Sequence, residues 1–414
     1  MKVVIMAGGK GTRIATVNSE VPKPMIKILD KPILQYQIES MVKQGFTDIL
    51  IVIGYKGEYI KEYFGNGKKF NANIDYFEES SPLGTAGALY YFKDKIKNDF
   101  LLVNGDIIFD INIKKFYNAH KKSNGVATLF THPNSHPYDS GIIVADNNGK
   151  VLNWLHKEDE RTWYKNRVNA GIHFFSPKVF DCIKEPKKLD LDRDVLKPMI
   201  QKNALFIYDS PEYVKDMGTP DRYNEVIDDI VCKKVQKKNL LNKQKCIFLD
   251  RDGTINKYVG FLRELDEFEL LPKVSDAIKL INKSGYLAIV VTNQPVIARG
   301  EVSINKLDEI HNKMETLLGE EGAYLDDVFY CPHHPTKGFQ GELEKYKISC
   351  DCRKPKPGLL IQAAKKYNIN LNESIMIGDS LVDVQAGESV GCKSYKLDEK
   401  NNLYSVVKNI LKED

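Results

Sequence analysis

Short runs of apolar residues alternate along this chain with longer stretches in which apolar positions recur every three or four residues. The short runs predict buried β-strands, and the longer stretches predict amphipathic helices. Strands are predicted at residues 2–7, 49–53, 74–77, 100–103, 246–249, 287–292, 328–330 and 375–377. Helices are predicted at residues 33–44, 56–64, 86–95, 274–284, 306–318 and 358–367. Because strand and helix alternate in both halves, the pattern indicates an α/β protein with largely parallel sheets.

A lysine-rich stretch separates the two halves. Residues 231–245 read VCKKVQKKNLLNKQK, with six lysines and little to bury beyond Leu240 and Leu241. We interpret this stretch as the end of a helix followed by a solvated linker, because a run of like charges favours exposure to water. The sequence therefore predicts a first domain at residues 1–232, a linker at 233–244 and a second domain at 245–414.

The composition fits two globular domains. The chain has 414 residues, 42% hydrophobic and 28% charged, and a domain typically has about 100–200 residues. The net charge is only +4, so nothing points to a nucleic acid or a membrane as a partner, and no apolar run approaches the ~20 residues that span a bilayer. Seven cysteines are an odd number, and residues 1–6 are too short for a signal peptide. We therefore expect a cytoplasmic protein whose clustered cysteines are metal ligands.

The first half opens with a glycine-rich turn directly after an apolar strand. Residues 7–13 read AGGKGTR. Gly8, Gly9 and Gly11 let backbone N–H groups, including that of Thr12, approach a polyphosphate closely, and Arg13 adds a two-pronged donor for phosphate oxygens. The spacing is neither that of the dinucleotide-binding fingerprint nor that of the P-loop. Taken alone, such a turn is also compatible with an ordinary tight turn.

Five later motifs accompany this turn. They read PKPM at residues 22–25, LGTAGA at 83–88, VNGD at 103–106, NAG at 169–171 and DMGTP at 216–220. Lys23 lies between two prolines, so a stiff segment holds a charge suited to phosphate. Asp106 ends an apolar strand at the edge where α/β folds bind ligands, and it can hold Mg²⁺ with Asp216 as a second ligand. Either aspartate alone is more often a cap or turn residue, but the whole set favours a nucleotide site.

This set of motifs resembles the sugar-1-phosphate nucleotidyltransferases over roughly residues 1–230. The resemblance implies a Rossmann-like fold with a mixed sheet, and a reaction that joins a sugar 1-phosphate to a nucleoside triphosphate and releases pyrophosphate. It implies that residues 8–13 grip the triphosphate and that Arg13 stabilises the developing charge. Lys23 would bridge the two phosphates, while Asp106 and Asp216 would hold magnesium. By the same resemblance, Gly84 and Thr85 would lie against the base. The residues that would line the sugar pocket are Asn169, Gly171 and Lys157.

The second half opens with a strand that ends in two aspartates. Residues 246–254 read CIFLDRDGT. Two carboxylates at a strand tip can divide the work of phosphoryl transfer, with Asp250 attacking phosphorus and Asp252 protonating the leaving oxygen. Mg²⁺ would offset the repulsion between the nucleophile and phosphate. The alternative is a calcium loop or an acidic turn, and the flanking Phe-Leu and Gly-Thr residues argue against it.

Three later elements complete this second set. Thr292 and Asn293 end an apolar strand and can donate to phosphoryl oxygens, and RKPKP at residues 353–357 supplies Lys354 as a charge partner. IGDS at residues 377–380 places Asp379 at a strand end, with Asp383 one helical turn later. The order resembles the haloacid dehalogenase-like phosphatases over about residues 245–400, which implies a doubly wound parallel sheet. The magnesium ligands implied by the resemblance are Asp250, Asp252 and Asp379.

A cluster of cysteine and histidine lies between these elements. Residues 331–334 read CPHH and residues 350–352 read CDC. Together they supply four ligands, the number that a structural Zn²⁺ binds. We predict Cys331, His333, Cys350 and Cys352 as the ligands, with His334 as the competing one. A loop this rich in Gly, Lys and Glu is ordered by metal binding rather than by burial, so the zinc would be structural.

The zinc loop is similar to that of the heptose bisphosphate phosphatases, and histidinol-phosphate phosphatases carry a similar loop. The resemblance to the heptose bisphosphate phosphatases implies that Arg299 and Arg353 contact the sugar and its second phosphate. The two resemblances together imply consecutive steps: the second half removes the 7-phosphate of D-glycero-D-manno-heptose 1,7-bisphosphate, and the first half joins heptose 1-phosphate to GTP. The assignment of GTP as the nucleotide rests on the resemblance. The residues themselves are equally compatible with CTP, UTP and dTTP.

Three alternative functions remain at this point. One is a histidinol-phosphate phosphatase fused to an unrelated transferase, and another is a transferase for a different sugar phosphate such as mannose 1-phosphate. The third is a sensing module with one inactive site, which the intact aspartate sets of both halves argue against. The sequence leaves the oligomeric state open.

Overall fold

The structure is a computed structural model that describes residues 1–9 and 20–413. The chain forms two compact units, each described separately below. The first unit comprises Met1–His132, Ile143–Trp154 and Asn169–Asn239, and the second comprises Pro133–Ile142, Leu155–Val168 and Leu240–Asp414. Across the described ranges, no helix is both long enough and apolar enough to cross a bilayer.

The first half contributes short strands and helices in alternation. Its strands are β1 (Lys2–Met6), β2 (Lys27–Ile28), β3 (Lys31–Pro32), β4 (Asp48–Ile53), β5 (Asn73–Glu78), β6 (Phe100–Asn104), β7 (Ile107–Asp110), β8 (Ala127–His132), β9 (Ile142–Ala145), β10 (Val151–Leu155), β11 (Val168–Phe175), β12 (Leu205–Asp209) and β13 (Tyr213–Asp216). Its α-helices are α1 (Ile33–Lys43), α2 (Gly57–Phe64), α3 (Ile113–Ser123), α4 (Lys197–Gln201), α5 (Pro220–Val231) and α6 (Lys234–Lys237).

A mixed sheet forms the centre of the first unit. In the part of the chain that the structure describes, nine strands form it: β10, β9, β11, β6, β1, β4 and β5 lie in that order, with β8 beside β11 and β12 beside β8. Strand β1 is parallel to β4 and β6, whereas β11 is antiparallel to β6. Val3 and Ile5 enter one apolar core and Val4 enters another, because successive side chains in a strand point to opposite faces. The predicted Rossmann-like mixed sheet is confirmed.

The second unit contains a parallel sheet with strand order β16, β15, β14, β17 and β18 among the described residues. All four pairings are parallel, as in the predicted doubly wound architecture. The strands are β14 (Lys245–Leu249), β15 (Tyr286–Asn293), β16 (Asp327–Cys331), β17 (Ile375–Gly378) and β18 (Lys393–Lys396). The helices are α7 (Val274–Lys283), α8 (Ile304–Glu320), α9 (Gly358–Tyr367), α10 (Leu381–Glu388) and α11 (Leu403–Glu413).

Two segments of the first half pack within the second unit, which no pattern in the sequence indicated. In Leu155–Val168, the backbone N–H of Tyr164 donates to Thr316 Oγ1 at 2.9 Å. Arg167 Nη1 lies 3.1 Å from Glu315 Oε2, and the two side chains are only 2% and 3% exposed. Because a buried ion of either sign needs its partner, this segment is an integral part of the second unit.

The predicted helix at residues 86–95 is wrong in type and length. The structure has a 3-10 helix at Gly87–Phe92 instead. The backbone N–H groups of Thr85 and Ala86 both donate to the carbonyl of Leu189, at 2.9 and 3.1 Å. These contacts from a distant segment fix the start of the helix, and the sequence pattern does not contain them.

The predicted solvated linker is also partly wrong. Helix α6 lies inside it, and Lys234 is buried with its Nζ 3.1 Å from Asp229 Oδ1. Leu240 is 4% exposed, whereas Leu241 is 56% exposed. The lysine is tolerated inside because a carboxylate compensates its charge.

Candidate active sites

A cavity of about 700 Å³ opens in the first unit at the carboxyl ends of β1 and β6. This is the edge of a parallel sheet at which loops bind ligands. Of the predicted residues, its lining includes Gly8, Gly9, Lys23, Gly84, Thr85 and Asp106. Gly11, Thr12 and Arg13 lie outside the described residues, so their predicted contacts with a triphosphate stay predictions.

The turn at Gly84 requires a glycine. Its φ is +76°, and a Cβ there would lie 2.3 Å from the carbonyl oxygen of Leu189. Thr85 Oγ1 accepts a hydrogen bond from the backbone N–H of Leu191 at 2.7 Å. The turn predicted to lie against the base is therefore held at a fixed distance from residues 189–191.

Glu79 is a residue of this cavity that the sequence analysis missed. It follows β5 directly and lines the cavity together with Gly8 and Gly84. Burial raises the pKa of its carboxyl group. The hydrogen bond that Oε1 accepts from the backbone N–H of Leu83 at 3.3 Å lowers the pKa, but by less than burial raises it. Glu79 therefore supplies hydrogen-bond acceptors beside the predicted base-binding turn. The only signal in the sequence was an acidic residue directly after a strand.

Asp106 lies in the turn directly before β7, and Asp216 ends β13, the strand that pairs with β7, but each aspartate has its own cation. The backbone N–H of Met217 donates to the carbonyl of Asp106 at 3.0 Å. Lys23 Nζ lies 2.6 Å from Asp106 Oδ2, and Arg222 Nη1 lies 2.7 Å from both oxygens of Asp216. Burial raises the pKa of Asp216, but Arg222 and Lys23 outweigh it and leave the pKa below its ordinary value. Asp216 is not among the described residues that line the cavity, and both predicted ligands are paired with cations, so their shared binding of magnesium stays a prediction. Arg222 was not predicted.

The predicted sugar-binding residues of β11 form a buried polar network. Asn169 Oδ1 lies 3.0 Å from His173 Nε2, and Asn169 Nδ2 donates to Asp192 Oδ1 at 3.3 Å. Burial raises the pKa of Asp192 to about 7. A Cβ on Gly171 would lie 2.6 Å from Nδ2 of Asn104, which itself lines the cavity. Neither Asn169 nor Gly171 is among the described residues that line the cavity, and their predicted contacts with the sugar stay predictions.

Lys157 is not among the described residues that line this cavity. It lies exposed in the turn after β10, within the segment Leu155–Val168 that packs in the second unit. Its predicted contact with the sugar stays a prediction.

Three carboxylates and one lysine meet at the carboxyl ends of β14 and β17. Oxygens of Asp250, Asp379 and Asp383 lie within 4.8 Å of one another. Lys354 Nζ lies 2.7 Å from Asp250 Oδ1 and 2.5 Å from Asp383 Oδ1. Gly253 permits the close approach of Asp379, since its φ is +80° and a Cβ would lie 2.2 Å from Asp379 Oδ2. An all-oxygen set of this kind fits a hard divalent cation such as Mg²⁺.

The excess of negative charge at this group shifts its pKa values. Burial raises the pKa of Asp250 to about 6, with Lys354 opposing the rise and Asp383 adding to it. Burial and then Asp383 raise the pKa of Asp379. Burial lowers the pKa of Lys354, but Asp250 and Asp383 outweigh it, so the ammonium form is favoured. One lysine does not balance three carboxylates, and a divalent cation would.

A cavity of about 310 Å³ opens at this group. The backbone N–H of Lys354 donates to Asn293 Oδ1 at 3.0 Å, and Asn293 Nδ2 donates to the carbonyl of Lys354 at 3.1 Å. Asn293 therefore fixes the backbone that carries the lysine. Of the predicted residues, the lining includes Asp250, Asp252, Thr292, Asn293, Arg353, Lys354 and Asp379.

Asp252 lines the same cavity but is not one of the three gathered carboxylates in the described structure. Its Oδ1 accepts from Arg251 Nη2 at 2.9 Å and from Asn256 Nδ2 at 3.1 Å. Its Oδ2 accepts from Arg251 Nη2 and from Gln294 Nε2, both at 2.9 Å. Both oxygens of Asp252 thus accept hydrogen bonds from the protein, and its predicted role as a metal ligand stays a prediction.

The predicted zinc ligands come together in space. The Sγ atoms of Cys331, Cys350 and Cys352 lie 3.2 to 3.5 Å from one another, and His333 Nδ1 lies 3.2 Å from Cys352 Sγ. Two sulfurs on one tetrahedral Zn²⁺ lie about 3.7 Å apart, so the four side chains need only a small adjustment to hold the ion. Sulfur and imidazole donors in this number are typical of a closed structural site.

Three cations surround His334 near the zinc loop. Arg299 is stacked between Phe261 and Phe339, with its Cζ 3.9 and 4.4 Å from the ring centroids. Its Nε is buried and has no hydrogen-bond partner among the described residues. Burial lowers the pKa of His334, and the positive charges around it lower it further. These charges belong to Arg353, Arg299 and Lys347.

Comparison with known proteins assigns each half to a family. The family model described as nucleotidyl transferase matches residues 2–232, and the model described as haloacid dehalogenase-like hydrolase matches residues 200–391. The D-glycero-beta-D-manno-heptose-1,7-bisphosphate 7-phosphatase of Haemophilus influenzae is 44% identical over 149 residues, which are 36% of this chain and 77% of that protein. Its counterpart from Escherichia coli K12 is 43% identical over 149 residues, 36% of this chain and 76% of that protein.

A solved structure supports the fold of the first half. A Bacillus anthracis protein described as a glucose-1-phosphate thymidylyltransferase, in complex with a sucrose, has a TM-score of 0.50 and 22% identity; the match covers 55% of this chain and 96% of that one. At this identity the likeness concerns the fold alone. The chain therefore belongs to the nucleotidyl transferase family through its first half and, through its second half, to the haloacid dehalogenase-like hydrolases that include the heptose bisphosphate 7-phosphatases.

Proposed function

We propose that this chain catalyses two consecutive steps on one sugar. The second unit removes the 7-phosphate of D-glycero-D-manno-heptose 1,7-bisphosphate. The first unit joins the resulting heptose 1-phosphate to GTP and releases GDP-heptose and pyrophosphate. The observation that carries the proposal is the 44% identity to a heptose bisphosphate 7-phosphatase in a chain whose first half belongs to the nucleotidyl transferases. One reaction yields the class of substrate that the other consumes.

The phosphatase chemistry follows from three side chains of the second unit. Asp250 attacks phosphorus, a bond forms between its oxygen and phosphorus, and the bond from phosphorus to the sugar oxygen breaks. Asp252 gives its proton to that leaving oxygen. Water then attacks the phosphoaspartate, its proton returns to Asp252, and inorganic phosphate leaves. Lys354, 2.7 Å from Asp250, stabilises negative charge in both steps. Mg²⁺ held by Asp250, Asp379 and Asp383 would neutralise charge on the phosphoryl oxygens.

The cations around His334 favour a substrate with two phosphates. Arg353, Arg299 and Lys347 each lower the pKa of His334, and Arg353 lines the cavity. Guanidinium groups bind phosphate oxygens through paired hydrogen bonds. We assign the 1-phosphate of the heptose to this cluster. Histidinol phosphate carries a single phosphate and would leave Arg299 and Arg353 without a second phosphate to bind.

The transfer step requires positioning and charge neutralisation but no covalent intermediate. An oxygen of the sugar phosphate attacks the α-phosphorus of the nucleotide in line, and pyrophosphate leaves. Lys23 lines the cavity and lies 2.6 Å from Asp106, so its charge is held at the predicted phosphate position. Both oxygens of Asp216 accept hydrogen bonds from Arg222. This pairing does not fit direct binding of Mg²⁺ by Asp216, and the transfer step described above does not use an ion at that residue.

Glu79 supports guanine as the base. A guanine ring presents two adjacent donors, N1–H and N2–H₂, and a carboxylate accepts both at once. Thymine and uracil present one donor between two acceptors, which a carboxylate would repel. Glu79 lines the cavity beside the turn at Gly84. Its carboxylate therefore favours GTP over UTP and dTTP.

The proposal is tested by incubating the protein with heptose 1,7-bisphosphate, Mg²⁺ and each nucleoside triphosphate in turn, followed by mass analysis. We expect phosphate release in every tube and a sugar nucleotide only with GTP. Histidinol phosphate and mannose 1-phosphate serve as competing substrates. Faster phosphate release from histidinol phosphate, or a sugar nucleotide formed from mannose 1-phosphate but not from heptose 1-phosphate, would replace the corresponding half of the proposal.

A further inference from the structure

Arg251 lies in the sequence between the two aspartates that carry the phosphatase chemistry, yet it is absent from the described lining of the cavity. Its side chain is completely buried, at 0% exposure. Nη2 donates to both oxygens of Asp252 at 2.9 Å, and Nε donates to Asp252 Oδ1 at 3.1 Å. The guanidinium therefore holds the carboxylate of its own neighbour in the chain.

Two further residues fix the guanidinium itself. Nη2 donates to Gln294 Oε1 at 3.0 Å, and Nη1 donates to His311 Nε2 at 3.2 Å. Gln294 Nε2 in turn donates to Asp252 Oδ2 and to Thr292 Oγ1, both at 2.9 Å. The network thus ties the end of β14 to the residue after β15 and to the middle of α8.

His311 is suited to accept a hydrogen bond from a cation. It is buried, and burial followed by the charge of Arg251 holds its pKa well below the usual range. The ring is therefore neutral and leaves Nε2 free as an acceptor. Of the groups that Arg251 contacts, Asp252 alone bears an opposite charge, so the pair is held together by charge as well as by geometry.

We infer that Arg251 is a positioning residue for the phosphatase reaction, which fixes the carboxyl group of Asp252 where it can exchange a proton with the leaving oxygen of the sugar phosphate. The inference rests on the proposed phosphatase function. The planar fork of an arginine binds two carboxylate oxygens in one fixed orientation, whereas a lysine offers a charge without that geometry. A group that transfers a proton must lie within hydrogen-bond distance of its target, so a small rotation of Asp252 impairs the reaction.

The test compares leaving groups that differ in their need for a proton. An alkoxide leaving from heptose 1,7-bisphosphate must be protonated, whereas 4-nitrophenolate leaves without a proton. In a single turnover with enzyme in excess of substrate, which reports the first step alone, we expect Arg251→Lys to slow release of the sugar from the heptose substrate about 100-fold, with an unchanged affinity for the substrate. A single turnover is used because Asp252 also accepts a proton in the second step, which is the same for every substrate. Release of 4-nitrophenolate from 4-nitrophenyl phosphate, measured in the same way, should slow by less than about 5-fold. Phenyl phosphate should lie between the two.

Arg167→Lys is the matched control, because it also removes a buried guanidinium fork from the second unit, at a residue that is not among the described residues lining the cavity. It should lower the melting temperature and leave the dependence on the leaving group unchanged. Equal losses of Arg251→Lys on all three substrates in the single turnover, or a weaker affinity for the substrate in place of a slower turnover, would mean that Arg251 has only a structural or binding role. No phosphate release by the wild type from any substrate would overturn the phosphatase function itself, and this inference with it.

Discussion

The two candidate sites handle negative charge in opposite ways. In the second unit, Asp250, Asp379 and Asp383 share the single cation of Lys354, so the group has an excess of negative charge. In the first unit, each of two aspartates has its own cationic partner. The first arrangement would be completed by a divalent cation bound to the protein. The second is balanced as it stands and leaves the phosphates of the substrate to supply the remaining charges.

Removal of the nucleophile should separate the two sites most sharply. We expect Asp250→Asn to lower phosphate release from heptose 1,7-bisphosphate by at least about 10⁴-fold, because an amide does not attack phosphorus. GDP-heptose formation from heptose 1-phosphate and GTP should be unchanged. Malachite-green assay and mass analysis measure the two activities. Asp276→Asn, at an exposed position on α7, is the control, and a loss of both activities in Asp250→Asn would show that the sites are interdependent.

Loss of the transferase cation should have the next largest effect. Lys23→Met removes the charge that neutralises Asp106 and faces the phosphates, and we expect kcat for sugar-nucleotide formation to fall about 300-fold. Pyrophosphate release measures it, and phosphate release by the second unit should be unaffected. Lys27→Met, at an exposed lysine of the neighbouring β2, should retain full activity. An active Lys23→Met variant would remove this lysine from the mechanism.

Glu79→Gln should alter the choice of base more than the rate. An amide accepts one hydrogen bond through its oxygen where the carboxylate accepts two, so kcat/KM for GTP should fall roughly 10-fold, while that for UTP or dTTP should rise. Competition between equal concentrations of the triphosphates, read by mass, gives the ratio directly. Glu78→Gln is the adjacent control, since that side chain is 63% exposed. An unchanged ratio would exclude Glu79 from base recognition.

Magnesium should stabilise the second unit and have little effect on the first. Binding to the carboxylate group should raise the free energy of unfolding of that unit by about 1–2 kcal/mol at millimolar Mg²⁺. Thermal unfolding with and without Mg²⁺, at an ionic strength matched with NaCl, measures the shift. Asp379→Asn should abolish the shift and be more stable than the wild type without Mg²⁺, because one of the repelling carboxylates is gone. An equal shift in this variant would place the ion elsewhere.

The smallest expected effect concerns Asp192 in the first unit. An aspartate in an unfolded chain ionises near pH 4, whereas burial raises the pKa of folded Asp192 to about 7. The protonated form of Asp192 therefore contributes fully to the free energy of unfolding below pH 4. This contribution is lost as the pH rises through 7. Relative to Asp192→Asn, the free energy of unfolding of the wild type should fall on the order of 1 kcal/mol between pH 5 and 8. Denaturant titrations measure it, with exposed Asp181→Asn as a control that should show no such trend.

The strand tips were the most predictable part of the molecule. Strands β1, β6, β14 and β17 lie within one or two residues of their predicted positions, and their terminal residues meet in the two cavities as expected. Motifs at these positions are local, because the strand, the turn and the functional side chain are consecutive. The zinc ligands were predictable for a related reason, since metal coordination requires fixed numbers of particular donors.

The partners of these residues were not predictable. Glu79, Gln294 and His311 lie far along the chain from residues that they accompany, and Arg222, although only six residues after Asp216, belongs to no motif of its own. Arg251 lies between two aspartates of a predicted motif, but its position in the sequence indicates no function for it. Burial and hydrogen bonding, which give it a role, depend on where β15 and α8 pack.

The sequence by itself determined the α/β architecture of both halves, the glycine-rich and aspartate motifs at strand ends and the four cysteine and histidine side chains that lie together, because alternating apolar runs and strand-end residues act over a few positions. Only the tertiary structure decided which cation neutralises which carboxylate, and that the segment Leu155–Val168 packs within the second unit. The physical reason is that a buried charge is stabilised by whichever opposite charge the fold brings within hydrogen-bond distance, and the chain separation between the two does not enter.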